Sequence, residues 1–118
     1  MAHTDSLTGL NNRRFFEYLV QQHLTHRLEE GTPSPSSLIV FDVDHFKKIN
    51  DNYGHDIGDQ VLQIIAKTAQ SEMRNTDILA RYGGEEFIAL LPDTHLDDAL
   101  KIADCLRQRI EQTEVFLD

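Results

Sequence analysis

The sequence predicts an α/β domain in which a small sheet with antiparallel strands is flanked by helices. Three observations predict this fold class: apolar residues at helical spacing in four segments, three short β-type runs, and turn-forming residues between them. The chain has 118 residues, of which 40% are hydrophobic and 26% are charged. This composition is typical of one globular domain. We therefore expect a single domain over residues 1–118.

The first third of the chain predicts a turn, a helix and a loop. Residues 4–12 are rich in side chains that cap helices or favour turns. Apolar residues then recur at helical spacing, as Phe16, Leu19, Val20, Leu24 and Leu28. Two prolines, Pro33 and Pro35, break the pattern after Gly31. We therefore expect the helix to follow the turn and to end at a loop.

The middle of the chain predicts a strand followed by two helices. Residues 38–41 form a short continuous apolar run, which suits a strand buried on both faces. The pattern becomes helical from Phe46 and is interrupted around residues 53–58. It then resumes with Val61, Leu62, Ile64, Ile65, Thr68 and Met73 on one side. The two helices are therefore expected to flank a turn.

The last third predicts a β-hairpin and a final helix. Residues 78–82 and 86–91 have strand character and are joined at Gly83-Gly84, a pair suited to a tight hairpin because both residues tolerate positive φ. Pro92 ends the second strand. The final amphipathic helix is marked by Ala99, Ala103, Leu106 and Ile110. Only three strands are predicted, so we expect the sheet to lack an edge strand and interpret the end of the chain as premature.

Charge and cysteine content limit the function classes. The formal net charge of −9 disfavours a general nucleic-acid or anionic-membrane surface, because such partners are bound by clustered Lys and Arg. Cys105 is the only cysteine, which excludes an intrachain disulfide and suits a reducing compartment. The sequence has no apolar run of about 20 residues and no signal-peptide pattern. We expect a cytoplasmic domain with a small ligand, whose parent protein could be anchored through a preceding region.

Two acids directly follow the predicted central strand. Asp42 and Asp44 stand at its carboxyl end, where open α/β sheets place ligands. Alternation along a strand sends both side chains to the same side, where they could hold a divalent metal with an acid from elsewhere. Acids after a strand are also common as loop residues or helix caps. The pair by itself leaves both interpretations open.

The predicted hairpin tip supplies further acids. Glu85 and Glu86 follow Gly83 and Gly84, and glycine lets a bulky ligand approach the backbone without meeting a Cβ. If the hairpin lies beside the strand that ends at Asp42, the acids converge into a magnesium and nucleotide site. Alone, this tetrapeptide is more typical of a solvated turn.

These features belong to a longer, ordered series of motifs. The series is Asp5-Ser6-Leu7-Thr8-Gly9-Leu10, Asn12-Arg13-Arg14, Phe41-Asp42-Val43-Asp44-His45-Phe46-Lys47, Asn50-Asp51, Gly54-His55, Gly58-Asp59 and Arg81-Tyr82-Gly83-Gly84-Glu85-Glu86-Phe87. It resembles the successive motifs of GGDEF-domain diguanylate cyclases, in the variant with Glu85. The resemblance implies a fold like that of nucleotide cyclases and polymerase palm domains. It also implies an N-terminal turn at 4–12, a catalytic core portion at 13–118, and a last strand and helix missing from the C-terminal end.

The activity implied by the resemblance is the condensation of two GTP molecules into cyclic di-GMP, with release of two pyrophosphates, by a homodimer. Two Mg²⁺ ions per active site are implied, with Mn²⁺ as a possible replacement. Asp42, the Val43 carbonyl and Glu85 match the metal ligands. Glu85 also matches the residue that assists deprotonation of the attacking hydroxyl, and Lys47 and Glu86 are the other candidate catalytic residues.

The resemblance also implies the substrate and product sites. The candidate substrate-binding residues are Asn50 and Asp59 for guanine, His55 beside them, Gly83 and Gly84 under the nucleotide, and Phe46 as an apolar wall. Arg74 and Asp77 match an RxxD site at which cyclic di-GMP inhibits the enzyme, although an aspartate at this spacing is also a common cap. The alternative function is a catalytically weak module that binds GTP or cyclic di-GMP as a sensor or dimerisation domain. Without the missing strand and helix we expect poor cyclase activity.

Overall fold

The computed structural model of the chain describes residues 2–31 and 34–113. The elements are α1 (Arg13–Glu30), β1 (Ser37–Asp42), α2 (Phe46–Tyr53), α3 (His55–Ser71), β2 (Ile78–Arg81), β3 (Glu86–Leu91) and α4 (Leu96–Glu111). The predicted order of elements is confirmed. The predicted premature end at Val115-Phe116-Leu117 lies outside the described residues. No helix within the described ranges has the length and apolar character needed to cross a bilayer.

The three strands form one antiparallel sheet in the order β1-β3-β2. Strand β3 is therefore central and pairs with both neighbours. In the β1–β3 register Ser37 lies opposite Leu91 and Asp42 lies opposite Glu86. The carboxyl end of β1 is thus next to the beginning of β3, which carries the second acidic motif. The prediction of an antiparallel-containing sheet flanked by helices is confirmed.

Strand β1 differs from the prediction that it is buried on both faces. Leu38 and Val40 are 57% and 56% exposed, whereas Ile39 is buried. The prediction is wrong because β1 lies at an edge of the described sheet. Helix α4 packs against β1, whereas α1 packs against β2 at the opposite edge of the sheet. Strand β3 is the one buried on both faces, with all residues from Phe87 to Leu91 buried.

The core is divided between the two faces of β3 because successive strand residues point to opposite sides. Phe87 and Leu91 face the larger cluster, which α3 and α4 complete with residues such as Leu62 and Leu106. The opposite face of the sheet packs against α1, in a cluster formed by Phe16, Ala80, Ile88 and Leu90. Further along α1 the predicted apolar stripe is solvent-exposed, with Leu28 83% exposed.

The β2–β3 hairpin forms as predicted, but its glycines do not adopt positive φ. The described glycines with positive φ are Gly9, Gly31 and Gly54. The connection spans the four residues 82–85, and both Tyr82 and Gly83 donate backbone hydrogen bonds to the Glu86 carbonyl. A longer connection removes the need for the strained turn that a two-residue hairpin requires.

The predicted interruption between α2 and α3 is a single residue. Gly54 has φ of 90°, and α3 begins at the next residue. Its backbone N–H donates to the Asn50 carbonyl at 2.8 Å. Because only glycine adopts this φ without strain, the two helices can join sharply. The turn brings the second half of α2 against the first turn of α3, where the candidate site begins.

Candidate active site

A cleft of about 460 Å³ lies between α2, α3 and the β2–β3 loop. Its lining residues are Phe46, Lys47, Asn50, His55, Asp59, Leu62, Arg81, Gly84 and Glu85. All of these except Leu62 and Arg81 are predicted site residues. The fold therefore brings together, in one concave surface, side chains from three separate motifs.

The charged and polar side chains of the cleft are not engaged with one another. Lys47, His55, Asp59 and Glu85 are exposed, and they form no ion pair with any residue that the structure describes. The loop offers room as well, since a Cβ built at Gly84 meets no described heavy atom within 4 Å. These groups are therefore available to a ligand.

Asn50 differs from these residues because its amide oxygen is buried. Its Oδ1 is the buried side-chain polar atom that lacks a hydrogen-bond partner among the described residues. Buried polar atoms in native proteins nearly always have a partner, and leaving one unsatisfied costs about 1–3 kcal/mol. An unsatisfied acceptor in a residue that lines a cleft is a group that the donor of a ligand could satisfy.

Arg81 is a cleft residue to which the sequence analysis assigned no role. Its guanidinium donates to the Gly84 carbonyl at 2.7 and 3.2 Å and contacts the Asp5 carboxylate at 3.2 Å. Asp5 in turn accepts hydrogen bonds from the backbone and hydroxyl of Thr8. Burial raises the pKa of the Asp5 carboxyl, but the Thr8 hydrogen bonds and the Arg81 charge outweigh it and the net pKa is lowered. Arg81 thus ties the N-terminal turn to the glycine loop.

Tyr82 anchors the same loop to α1. Its hydroxyl donates to Glu17 at 2.9 Å, and the Arg13 guanidinium lies over its ring at 4.4 Å from the centroid. The hydrogen bond from Tyr82, followed by that from Arg13, lowers the pKa of Glu17. In the sequence, the local sign that Arg81 and Tyr82 anchor the loop is that they directly precede Gly83. Their contact partners lie far away in the sequence.

The predicted metal ligands Asp42, Val43 and Glu85 occupy neighbouring backbone positions at the β1–β3 junction. The Val43 backbone N–H donates to the Glu85 carbonyl at 3.1 Å, and Asp42 is paired with Glu86 across the sheet. Asp42, Val43 and Asp44 line a groove beside β1, α3 and α4, whereas Glu85 lines the cleft. The described residues contain no group of three or more His, Cys, Asp or Glu side chains close enough to hold a metal ion. Asp42 and Glu85 are therefore close along the backbone but line two different cavities.

This donor set fits magnesium bound together with a nucleotide. Mg²⁺ prefers oxygen ligands and usually takes only one or two carboxylates from the protein, with phosphates and water completing its octahedron. Asp42, Glu85 and the Val43 carbonyl are donors of this kind. A metal ion held by these donors would leave the rest of its octahedron to phosphates and water.

Arg74 and Asp77 lie at the opposite end of β2 from the glycine loop. Asp77 accepts from the Arg74 backbone N–H at 2.8 Å and from the guanidinium at 2.8 and 3.1 Å. The guanidinium also donates to the Thr94 hydroxyl at 2.7 Å. The hydrogen bond to Asp77 raises the pKa of Arg74. Asp77 thus closes the turn that precedes it, rather than capping the following segment as considered, and holds the half-exposed Arg74 in place.

Comparisons with known proteins agree with these motifs over nearly the whole chain. The family model described as "Diguanylate cyclase, GGDEF domain" matches residues 2–117. The chain belongs to the GGDEF family. It is 47% identical over 110 residues to the response regulator PleD of Caulobacter vibrioides, an alignment that covers 93% of this chain and 24% of PleD. The chain thus spans about a quarter of the length of that relative.

Solved GGDEF structures share the fold. Diguanylate cyclase SiaD of Pseudomonas aeruginosa, in complex with its activator SiaC, is similar with a TM-score of 0.91 and 39% identity, covering 98% of this chain and 44% of SiaD. The GGDEF domain of DgcB from Caulobacter crescentus, in complex with c-di-GMP, also has a TM-score of 0.91, with 32% identity over 99% of this chain and 67% of that one. These similarities support the enzyme class of the family.

Proposed function

We propose that this GGDEF domain is a diguanylate cyclase module that binds GTP in the cleft and joins two GTP molecules into cyclic di-GMP. The observation that carries the proposal is the cleft itself, where the guanine-type acceptors of α2 and α3 lie beside the glycine loop and Glu85. This arrangement supports a nucleotide whose base enters between the helices and whose phosphates lie along the loop.

The base-recognition part of the proposal rests on Asn50 and Asp59. Guanine presents its N1–H and its 2-amino group as neighbouring donors, whereas adenine presents an acceptor at N1. Asn50 offers a buried amide oxygen without a partner, and Asp59 offers a carboxylate without an ion pair among the described residues. Carboxylate and amide oxygens are acceptors. The pair is therefore suited to guanine, with Phe46 and Leu62 as apolar walls.

Phosphate binding must overcome the negative charge of the chain. Lys47 supplies a cation from the first turn of α2, and the cleft also includes His55 at the first turn of α3. Within the described residues, no side chain caps either helix start, so the first backbone N–H groups remain available. Uncapped helix starts favour anions. We infer that the first turn of α2 and Lys47 hold the triphosphate beside the glycine loop, whereas His55 lies next to the guanine acceptors.

The acids would hold Mg²⁺ and prepare the attacking hydroxyl. Asp42, Glu85 and the Val43 carbonyl would be the protein ligands, with Glu86 as a further contact, and two ions per site match the family. Bound Mg²⁺ neutralises the charge that builds up on the phosphates during transfer. Glu85 faces the cleft, where its carboxylate can accept the proton of a 3′-hydroxyl. Gly83 and Gly84 leave the approach of the sugar and phosphates unobstructed.

The reaction needs two such clefts. Each would bind one GTP, and the 3′-hydroxyl of each nucleotide would attack the α-phosphorus of the other, releasing one pyrophosphate per step. We therefore propose that two copies of the domain face each other in a homodimer. Arg74 and Asp77 would bind the product cyclic di-GMP and thereby inhibit the enzyme, with the Arg74 fork recognising a guanine edge or a phosphate.

The alternative function is a binding module that takes up GTP or cyclic di-GMP without turnover. The two functions are separated by incubating the protein with GTP and Mg²⁺ while pyrophosphate and cyclic di-GMP are measured. Wild type is expected to form both products, and Glu85→Gln is expected to be slower by about 100-fold or more because it loses a metal ligand and proton acceptor. A titration with α,β-methylene GTP checks that the variant still binds.

Each result has a definite meaning. Equal product formation by wild type and Glu85→Gln would remove Glu85 from catalysis. Binding of the analogue without product from wild type would favour the binding module. Failure of wild type to bind both the analogue and, in a parallel titration, cyclic di-GMP would contradict both functions.

A further inference from the structure

Gly58 lies in the first turns of α3, directly against the side chain of Asn50. A Cβ built on Gly58 would come within 1.8 Å of Asn50 Oδ1, 3.0 Å of its Cγ and 3.3 Å of Phe46 Cζ. Real Cβ atoms do not approach other heavy atoms so closely. Gly58 is also buried and its φ is not in the left-handed region. Its backbone conformation therefore does not require glycine, but the space next to Asn50 does.

The atom that occupies this space is the unsatisfied one. Asn50 Oδ1 is both the nearest atom to the missing Cβ and the buried acceptor without a partner in the described part of the chain. No hydrogen bond from the described residues fixes the amide oxygen in this position. The missing side chain at residue 58 therefore sets where the amide oxygen can lie.

A Cβ at residue 58 would displace a flexible side chain and leave the backbone in place. The closest atom belongs to the end of the Asn50 side chain, which can rotate away, and the contact with Phe46 requires a shift of only a few tenths of an ångström. The fold should tolerate the change, because alanine is also a better helix former than glycine. The main consequence of the substitution would be a displaced Asn50 amide.

We propose that Gly58 is a positioning residue for guanine selection, because its lack of a Cβ leaves the space that holds the Asn50 amide in the cleft. This inference rests on the proposed binding of GTP. It predicts that Gly58→Ala weakens recognition of the 2-amino group and preserves the fold. Gly58 itself touches no substrate and acts through Asn50.

The test combines a double-mutant cycle with a base analogue. Four proteins are compared: wild type, Gly58→Ala, Asn50→Ala and the double variant. Each is titrated with the α,β-methylene analogues of GTP and of inosine triphosphate, which lacks the 2-amino group, and each is unfolded thermally. We expect Gly58→Ala to bind the GTP analogue about 10-fold more weakly or worse, as for loss of one hydrogen bond from a buried acceptor.

The pattern across the cycle identifies the cause. Gly58→Ala should lose the preference for the guanine analogue over the hypoxanthine analogue and should unfold at a temperature equal to or above that of wild type. In the Asn50→Ala background the same substitution should leave affinity unchanged, because the amide it displaces is gone.

Three results would overturn the inference. They are wild-type affinity and preference in Gly58→Ala, an equal loss of affinity with and without Asn50, and a lower unfolding temperature in both backgrounds, which would assign Gly58 a structural role. Failure of wild type to bind the GTP analogue would overturn the proposed function as well. The first three results leave the proposed function intact, so the two failures can be told apart.

Discussion

The charged residues near the two ends of strand β2 differ in whether other residues of the protein bond to them. Before the strand, the Arg74 guanidinium donates to both Asp77 and Thr94, and the Asp77 side chain is only 1% exposed. Beyond the strand, the cleft residues Asp59 and Glu85 have no ion pair among the described residues and face solvent. One end satisfies its charged groups internally, whereas at the other end Arg81 is paired with Asp5 but the cleft acids have no ion pair among the described residues.

This difference predicts which substitutions should change ligand binding and which should change the stability of the fold. A group without protein partners contributes little to folding, so its removal should affect ligand binding alone. A buried group with several partners contributes to folding in any case, and a ligand at that site must add to the existing bonds or compete with them. The following substitutions test the contrast.

The largest effect is expected at the cleft. Asp59→Ala should weaken binding of α,β-methylene GTP by about 30-fold or more, because hydrogen bonds to a charged acceptor contribute about 1.5–3 kcal/mol. The free energy of unfolding should change by less than about 0.5 kcal/mol, since the side chain is exposed. Calorimetric titration and urea denaturation measure the two quantities. A loss of stability with unchanged affinity would reverse the assignment.

An intermediate effect is expected at the other end of β2. Asp77→Ala should lower the free energy of unfolding by about 2 kcal/mol, because a buried carboxylate with hydrogen bonds from Arg74 is removed. The matched control is Arg74→Ala, whose half-exposed side chain should cost about 1 kcal/mol or less. Denaturation of both variants checks the order. Calorimetry with cyclic di-GMP checks their binding, and unchanged affinity in Arg74→Ala would remove Arg74 from the product site.

The smallest effect is expected at the anchor of the glycine loop. The folded-state pKa of Asp5 is lowered, so its carboxylate contributes stability above its ordinary pKa of about 3.9, and this contribution is lost as pH falls through the folded value. Asp5→Asn should therefore be about 1 kcal/mol less stable than wild type at pH 7. The difference should be the same at pH 6 and should shrink as pH falls below the ordinary pKa of the carboxyl. A constant difference down to pH 2 would show that the charge is not responsible.

Local patterns in the sequence were sufficient for the elements and for most of the cleft. The helical spacing around Val61 and Leu62 and the β-type runs on either side of Gly83 each predicted an element that the structure contains. The motif residues Asn50, Asp59 and Glu85 were predicted to share a site, and they line one cleft. Their roles in binding and catalysis remain predictions.

The sequence by itself determined the order of elements and the family, because these depend on residue types and on spacings within a few turns or strands. Only the tertiary structure decided that β1 is exposed on one face, that Arg81 reaches Asp5, and that Gly58 faces the Asn50 amide. Each of these depends on how separate segments pack against one another. Burial and pairing arise from contacts between such segments, and a local periodicity contains no information about which neighbour will supply them.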